Sequence, residues 1–345
     1  MRRRFTVNKG FTKTFDFNNY LTIEALEDNF TVIFSNDIEY GIDGEGWIKL
    51  KSGYTTQPIN AGQTLSFRGE LTPTLSIGIG TFTISKKCNL KGNCMSMLFG
   101  DNASDNYSLS GKDYVFCFLF YTCRNIVTVS ENFLPATTLA NRCYYSMFEG
   151  CTSLTTAPAL PATTLAAYCY GYMFEGCTSL TTAPELPATK LVNGCYNMMF
   201  CNCSKLNYIK ALFTTTPAST NTKNWVYGVS PTGTFIKNPE ATWDVVGVDG
   251  VPEGWTVKFD GEEDGGLLEF TVDGVAYQFE DGMTWYEWSN SEYNTGGFLF
   301  RVEEWRYALY TSDYEKYFKR HLTESDLVET GTYTTENVNW PIPKG

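Results

Sequence analysis

The apolar positions of this chain follow two rhythms, one of 26 residues and one of two. Cys143, Cys169 and Cys195 keep the 26-residue step, as do Cys151, Cys177 and Cys203. Leu154, Leu180 and Leu206 follow it, and so do Pro135, Pro161 and Pro187. The copies read CYYSMFEGCTSLTTAPALPATTLA from Cys143, CYGYMFEGCTSLTTAPELPATKLV from Cys169 and a divergent CYNMMFCNCSKLNYIKAL from Cys195. A unit this short cannot bury its own apolar face, so neighbours must stack around one continuous core. The pattern predicts a solenoid over residues 87–259. In each copy the Met-Phe pair ends a short helical turn, Cys-Thr-Ser-Leu-Thr-Thr runs as a strand, and Leu-Pro-Ala-Thr turns the corner. Cys94 with Leu98-Phe99 reads as a degenerate opening copy. Leu119-Phe120 with Cys123 and Ile126 reads as a second, carrying a two-residue insertion before Pro135. Residues 214–259 read as a C-terminal cap over the ladder edge.

The period of two appears on both sides of the repeats. Leu21-Thr-Ile-Glu-Ala-Leu26 and Phe30-Thr-Val-Ile-Phe34 have strand length and composition, and Trp47, Leu65 and Phe67 alternate with polar neighbours. Asp43-Gly44 and Asn60-Ala-Gly62 supply turns between them. Residues 1–86 are therefore expected to form an Ig-like β-sandwich. After an acidic, glycine-rich linker from Asp260 to Gly266, two apolar runs flank Asp273-Gly274 as a hairpin. Thr284-Trp-Tyr-Glu287 has the form of a capping box opening a helix with Trp285 and Trp288. Leu327 to Tyr333 reads as a return strand. Residues 260–345 thus predict a small α+β module, and the whole chain is mainly β. Trp285, Trp288 and Trp305 are expected in its core.

Composition narrows the class. No stretch approaches the roughly 20 apolar residues of a membrane span, so membrane insertion is not expected. Met1-Arg2-Arg3-Arg4 is a positive start, but no apolar segment or small-residue cleavage site follows, which predicts no standard secretion. The net charge of −12 is uneven: from Trp255 onward 7 Lys/Arg face 18 Asp/Glu. Such an acidic module repels phosphate backbones, so nucleic acid is not an expected partner. Its surface serves either solubility or a basic partner.

All 11 cysteines lie between Cys88 and Cys203. An odd number at repeat spacing reads as reduced, buried ladder positions rather than a disulfide framework. Cys201 and Cys203 form the only close pair, and the sole histidine, His321, lies in another module, so neither metal nor cofactor is expected. His321 sits in a basic Lys-Arg-His patch without a nucleophile elbow nearby. Glu303-Glu304 are adjacent on one segment and point apart if it is a strand. No catalytic set emerges. Tyr144, Tyr145, Tyr170 and Tyr172 follow the cysteine column and either pack as core and shoulder or form an exposed binding stripe.

The repeats resemble the leucine-rich repeats of the BspA-like family. The resemblance rests on Met147-Phe148, Cys151-Thr-Ser-Leu154 and Ala159-Leu160-Pro161, and again on Met173-Phe174, Cys177-Thr-Ser-Leu180 and Leu186-Pro187. It covers residues 88–213 and departs from the commoner form in its 26-residue period and in Ala-Pro where Ile is usual. The N-terminal strands and the Trp225 to Trp255 segment look like the flanks such repeats carry in proteins of gut Bacteroidales and their phages. Gly282 to Thr295 is similar to a short terminal module of phage and prophage structural proteins. The resemblance implies display and adhesion without catalysis. The leading expectation is a non-enzymatic phage virion protein, a head or tail fibre or decoration, assembled in the bacterial host cytoplasm. Its partners would be other virion proteins and a host surface protein or glycan, with a homo-oligomer expected from closed symmetry. In that reading the N-terminal module, with Arg2, Arg3 and Arg4, docks to the particle. The alternatives are a bacterial cell-surface adhesin of the same family and a fibre-borne polysaccharide depolymerase.

Overall fold

The computed structural model describes residues 19–71 and 80–261 with their side chains, and beyond them the backbone of six strands between 269 and 332. The protein is mainly β and divides into two compact units, Met1–Asp260 and Gly261–Gly345. Among the described residues no helix is long and apolar enough to cross a membrane.

The first unit opens with seven strands: β1 (Leu21–Ala25), β2 (Val32–Phe34), β3 (Ile38–Ile42), β4 (Glu45–Leu50), β5 (Thr64–Arg68), β6 (Phe82–Ile84) and β7 (Cys88–Gly92). Asp43 and Gly44 join β3 to β4 with φ of 48° and 79°, the left-handed pair that a two-residue hairpin demands. The main sheet runs β4-β3-β5-β1-β7-β8, where β8 (Ile126–Val129) comes from the repeat region and pairs parallel with β7. β2 and β6 form a separate antiparallel pair. The sheet of the expected N-terminal module thus continues past residue 86. One sheet and one apolar core run through that boundary, and the strands after it complete the sheet.

Along the repeats the chain lies in successive segments joined by main-chain hydrogen bonds. From residue 140 to 151 every second N–H donates three residues back: Tyr145 to Arg142, Met147 to Tyr144, Cys151 to Phe148. The intervening N–H groups donate sideways to the following copy: Tyr144 to Cys169, Ser146 to Gly171, Phe148 to Met173. Every fourth residue takes a positive φ, as at Arg142, Ser146 and Gly150, then Tyr168, Tyr172 and Gly176. This is neither an α-helix nor a strand, and it corrects the expected helical turn at the Met-Phe pair. Beyond its first turn a helix satisfies its N–H groups internally; here every second one is reserved for the neighbour.

The opposite side carries the parallel ladder. Single bridges join Thr128 to Thr156, Thr138 to Thr164 and Thr182 to Tyr208. The Cys-Thr-Ser-Leu-Thr-Thr segments are thus not full strands in the central copies. Pro158 and Pro184 follow two residues after the bridging threonines and cannot donate to a ladder. Where Ser130 or Lys210 stands at that place, β8 and β9 (Tyr208–Ala211) form instead. The ladder then continues into β10 (Thr234–Lys237) and β11 (Thr256–Phe259), both parallel to β9. Residues 214–259, expected only as a cap, extend the stack before they end it.

The second unit holds a hairpin of β12 (Glu269–Val272) and β13 (Val275–Gln278), placed around Asp273-Gly274 as expected. Its four-stranded sheet comprises β14 (Thr284–Asn290), β15 (Thr295–Arg301), β16 (Tyr307–Leu309) and β17 (Leu327–Thr332), in the order β16-β15-β14-β17. The predicted helix at Thr284 is the central strand β14. Its aromatic run favours a sheet, and pairing on both edges outweighs the local capping pattern. Apart from Gly261 in a turn, the described residues of this unit are all strand, so the α part of the expected α+β module is not seen among them. The linker beyond Gly261, Trp305, His321 and Glu303-Glu304 lie outside the described residues, as do the side chains of Trp285 and Trp288.

Two columns of rings run through the repeats. Phe82, Phe120, Phe148, Phe174 and Phe200 stack with centroids 5.1 to 5.8 Å apart. Phe116, Tyr144, Tyr170 and Tyr196 stack at 5.8 to 6.2 Å. Trp225 meets the last ring of both columns, at 6.2 Å from Phe200 and 6.0 Å from Tyr196. Its indole N–H donates to the Gly250 carbonyl at 2.9 Å. Phe148 is fully buried with a ring on either side, so Phe148→Ala is expected to cost about 3–5 kcal/mol. Guanidinium unfolding would show it, with a loss below 1 kcal/mol sinking the view that the column holds the stack.

Candidate functional site

The repeat copies place chemistry in two layers, one inside and one on the turn side. Inside, the ladder leucines Leu154, Leu180 and Leu206 are fully buried, as are Cys143, Cys169, Cys195, Cys151, Cys177 and Cys203. All 11 cysteines are free and buried. Each thiol of the second column donates to the phenylalanine carbonyl of the copy before it. Cys123 reaches Phe82 at 3.1 Å, Cys151 reaches Phe120 at 3.3 Å, Cys177 reaches Phe148 at 3.2 Å and Cys203 reaches Phe174 at 3.0 Å. The carbonyls of Phe120, Phe148 and Phe174 also accept the N–H of the cysteine three residues on, so the thiol takes up the remaining lone pair. Valine would fill the space but leave that pair unused.

These thiols are poor nucleophiles. Burial pushes Cys123 and Cys143 up to about 12 and Cys195 to about 11, while Cys151, Cys169 and Cys177 lie well above the ordinary thiol range. A reactive cysteine needs a stabilised thiolate and access, and both are missing at these positions. Among the described residues no three His, Cys, Asp or Glu side chains converge to hold a metal.

Tyr144 and Tyr170 belong to the inner ring column and are 1% exposed, so they form no binding stripe. Their hydroxyls are buried without a hydrogen-bond partner. The residue after each first-column cysteine is buried along with the cysteine itself, which the 26-residue spacing does not disclose. Tyr145 and Tyr172 do lie on the turn side, half-buried, with ring centroids 5.1 Å apart. The Tyr145 ring leans across Gly171: a side chain there would meet it at 3.0 Å.

Around this pair the structure gathers residues that the sequence reading passed over. Phe118 packs edge-on against Tyr145 at 5.9 Å and against Tyr121 at 5.5 Å. Tyr121 is 42% exposed. Arg142 lies between Tyr114 and Tyr168, 5.3 and 4.6 Å from their ring centres, and donates to the Tyr114 hydroxyl at 2.9 Å. The step is 28 at this copy, as the Phe120–Phe148 stack shows, in keeping with the insertion expected before Pro135. That two-residue insertion lies between Thr128 and Thr138 and carries the 3-10 turn Glu131–Phe133.

Glu149 and Glu175, 26 residues apart, stand in the same turn-side row. Burial raises both carboxyls above the ordinary range, and the negative field of Glu149 adds to Glu175. The Cys201 thiol, one copy further on, donates to Glu175 and offsets part of that rise. Burial, with Tyr172 beside it, pushes the Tyr145 phenol up to about 12. The arrangement offers aromatic faces, one shared cation and two acids reluctant to ionise: a surface suited to adsorbing a partner. Comparison with family models, with curated proteins and with solved structures gives no match in any of the three.

Two outcomes test this geometry. A carboxyl raised in the folded state gives its full stability below its unfolded pKa and loses it as pH rises through the folded one. Glu149→Gln with Glu175→Gln should therefore raise the free energy of urea unfolding at pH 7, by roughly 0.5 kcal/mol after solvent screening. The gain should vanish on acidification below the usual carboxylate range; a pH-independent gain would refute the assignment. An aromatic disulfide reagent should label almost none of the 11 thiols in the native chain and all of them in guanidinium; rapid native labelling would contradict the burial.

Proposed function

We propose that this chain is a non-enzymatic structural protein of a phage virion, a fibre or decoration that presents a BspA-type leucine-rich-repeat solenoid to the host surface. The reading takes the stacked copies as that solenoid and the strands before it as a divergent Ig-like module. Its strongest support is the set of 11 free, buried cysteines. So many unpaired thiols suit a chain that folds in a reducing compartment and is carried out on a particle rather than secreted. The aromatic turn side around Tyr145, Tyr172, Phe118 and Tyr121 would meet a host surface protein or glycan. Arg2, Arg3 and Arg4 would dock to other virion proteins. Removal of residues 1–86 is a poor test of docking, because it strips β1 and β5 from a sheet that continues into the repeats.

The deciding experiment is peptide mass spectrometry on gradient-purified virus-like particles and on host outer membrane. The expected result is enrichment with particles, lost when Arg2, Arg3 and Arg4 are all changed to glutamate. Enrichment in the membrane would replace this reading with the cell-surface adhesin. Enrichment with particles that survives the triple change would keep the virion assignment and overturn the docking end.

A further inference from the structure

Away from the repeats, a groove of about 610 Å³ opens beside the edge of the main sheet, where β3 and β4 meet the loop after β5 and the turn following Phe99. Its volume lies within the roughly 300–1,000 Å³ of small-molecule sites. Ile38 and Leu50 are buried at its floor, and Leu71 and Phe99 are half-buried beside them.

The walls carry charge of both signs, and most of it is already paired. Arg68 donates through Nε to Glu39 at 3.0 Å and through a terminal nitrogen to Asp101 at 2.6 Å. Its guanidinium also lies 4.2 Å from the Trp47 ring centre, and the Tyr20 hydroxyl donates to the same Asp101 oxygen at 2.9 Å. Lys51 pairs with Asp37 at 2.6 Å, and the second Asp37 oxygen takes the Ser52 N–H. The side chains of Lys49, Glu70 and Asn102 line the rim and make no hydrogen bond or ion pair with another described residue.

This pattern discriminates between ligands. An anion would approach the carboxylates of Glu39, Glu70 and Asp101. A cation would approach Arg68 and two lysines. Either must break a standing pair or face a like charge. A neutral, hydroxyl-rich molecule meets neither cost. Its C–H faces would cover Leu71 and Phe99, and its hydroxyls would satisfy the donors and acceptors of Lys49, Glu70 and Asn102.

We propose that this groove is a binding site for a neutral oligosaccharide. The proposal is independent of whether the chain is a virion protein, and it adds a glycan site in the N-terminal sheet, separate from the turn side of the repeats.

The test uses the full chain on a printed array of neutral gluco-, manno- and galacto-oligosaccharides with their sulfated and sialylated counterparts. The best neutral hit is then titrated by calorimetry. Lys49→Ala combined with Glu70→Ala, both on the rim, should weaken that binding on the order of tenfold or more. Circular dichroism should show the fold unchanged. Asn102→Trp, which fills the mouth, should abolish binding. Tyr121→Ala with Tyr172→Ala, on the turn side, should leave it intact. Binding confined to acidic glycans, no binding to any neutral member, or binding lost only with the tyrosine pair would each overturn the proposal.

Discussion

The first unit depends on a backbone that is incomplete within any one repeat. The turn segment directs every second N–H sideways, and only the following copy supplies the carbonyls: Tyr144 to Cys169, Ser146 to Gly171, Phe148 to Met173. A buried N–H without a partner costs about 1–3 kcal/mol, and each segment presents several. No copy is stable alone, and none can slip in register without orphaning the whole row. The ring columns follow from this pairing. Once the main chains are locked side by side, identical positions fall one above another at under 6.5 Å, and near-parallel aromatic stacking results.

The pairing also explains the backbone strain. Tyr168, Tyr172, Ser146 and Met198 hold positive φ, which costs a residue with a Cβ roughly 1–2 kcal/mol. A helix over the same stretch would avoid that cost and would close its hydrogen bonds internally. It would then offer no lateral donors and leave the neighbouring copy unsatisfied. The lateral bonds decide the conformation, so local propensity is a weak guide there. The error at Thr284 has the same origin: a sound capping pattern lies in a strand paired on both sides.

What could be read from the sequence was what recurs in identity. Met147-Phe148 and Cys151-Thr-Ser-Leu154 repeat intact at the next copy, so their burial in one core followed from spacing alone. What could not be read was direction. Tyr144 and Tyr145 are consecutive and chemically alike, yet one is sealed in the ring column and the other lies on the turn side. Tyr145 immediately precedes a positive-φ residue, Ser146, and Tyr144 does not; that placement leaves little trace in composition, since Gly150, Gly176 and Gly194 hold such positions but so do Tyr168 and Met198. The groove beside Arg68 was likewise invisible, because Glu39, Arg68 and Asp101 are separated by up to 62 positions and meet only once the sheet is paired.

Conformity to the repeat is greatest in the middle because a central copy answers to two neighbours. The copy holding Cys151 must donate its thiol to Phe120 and must also present the Phe148 carbonyl to Cys177. The copy holding Cys177 stands under the same double demand, and the two read almost alike. Toward the ends one demand lapses. Phe82 can close the phenylalanine column from β6, ahead of the repeats, and the single indole of Trp225 can meet both columns. The ladder step shortens between Thr234 and Thr256 because nothing beyond β11 need match it among the described residues. Divergence at the ends is therefore the expected consequence of one-sided pairing. It does not require that the terminal copies serve a different purpose.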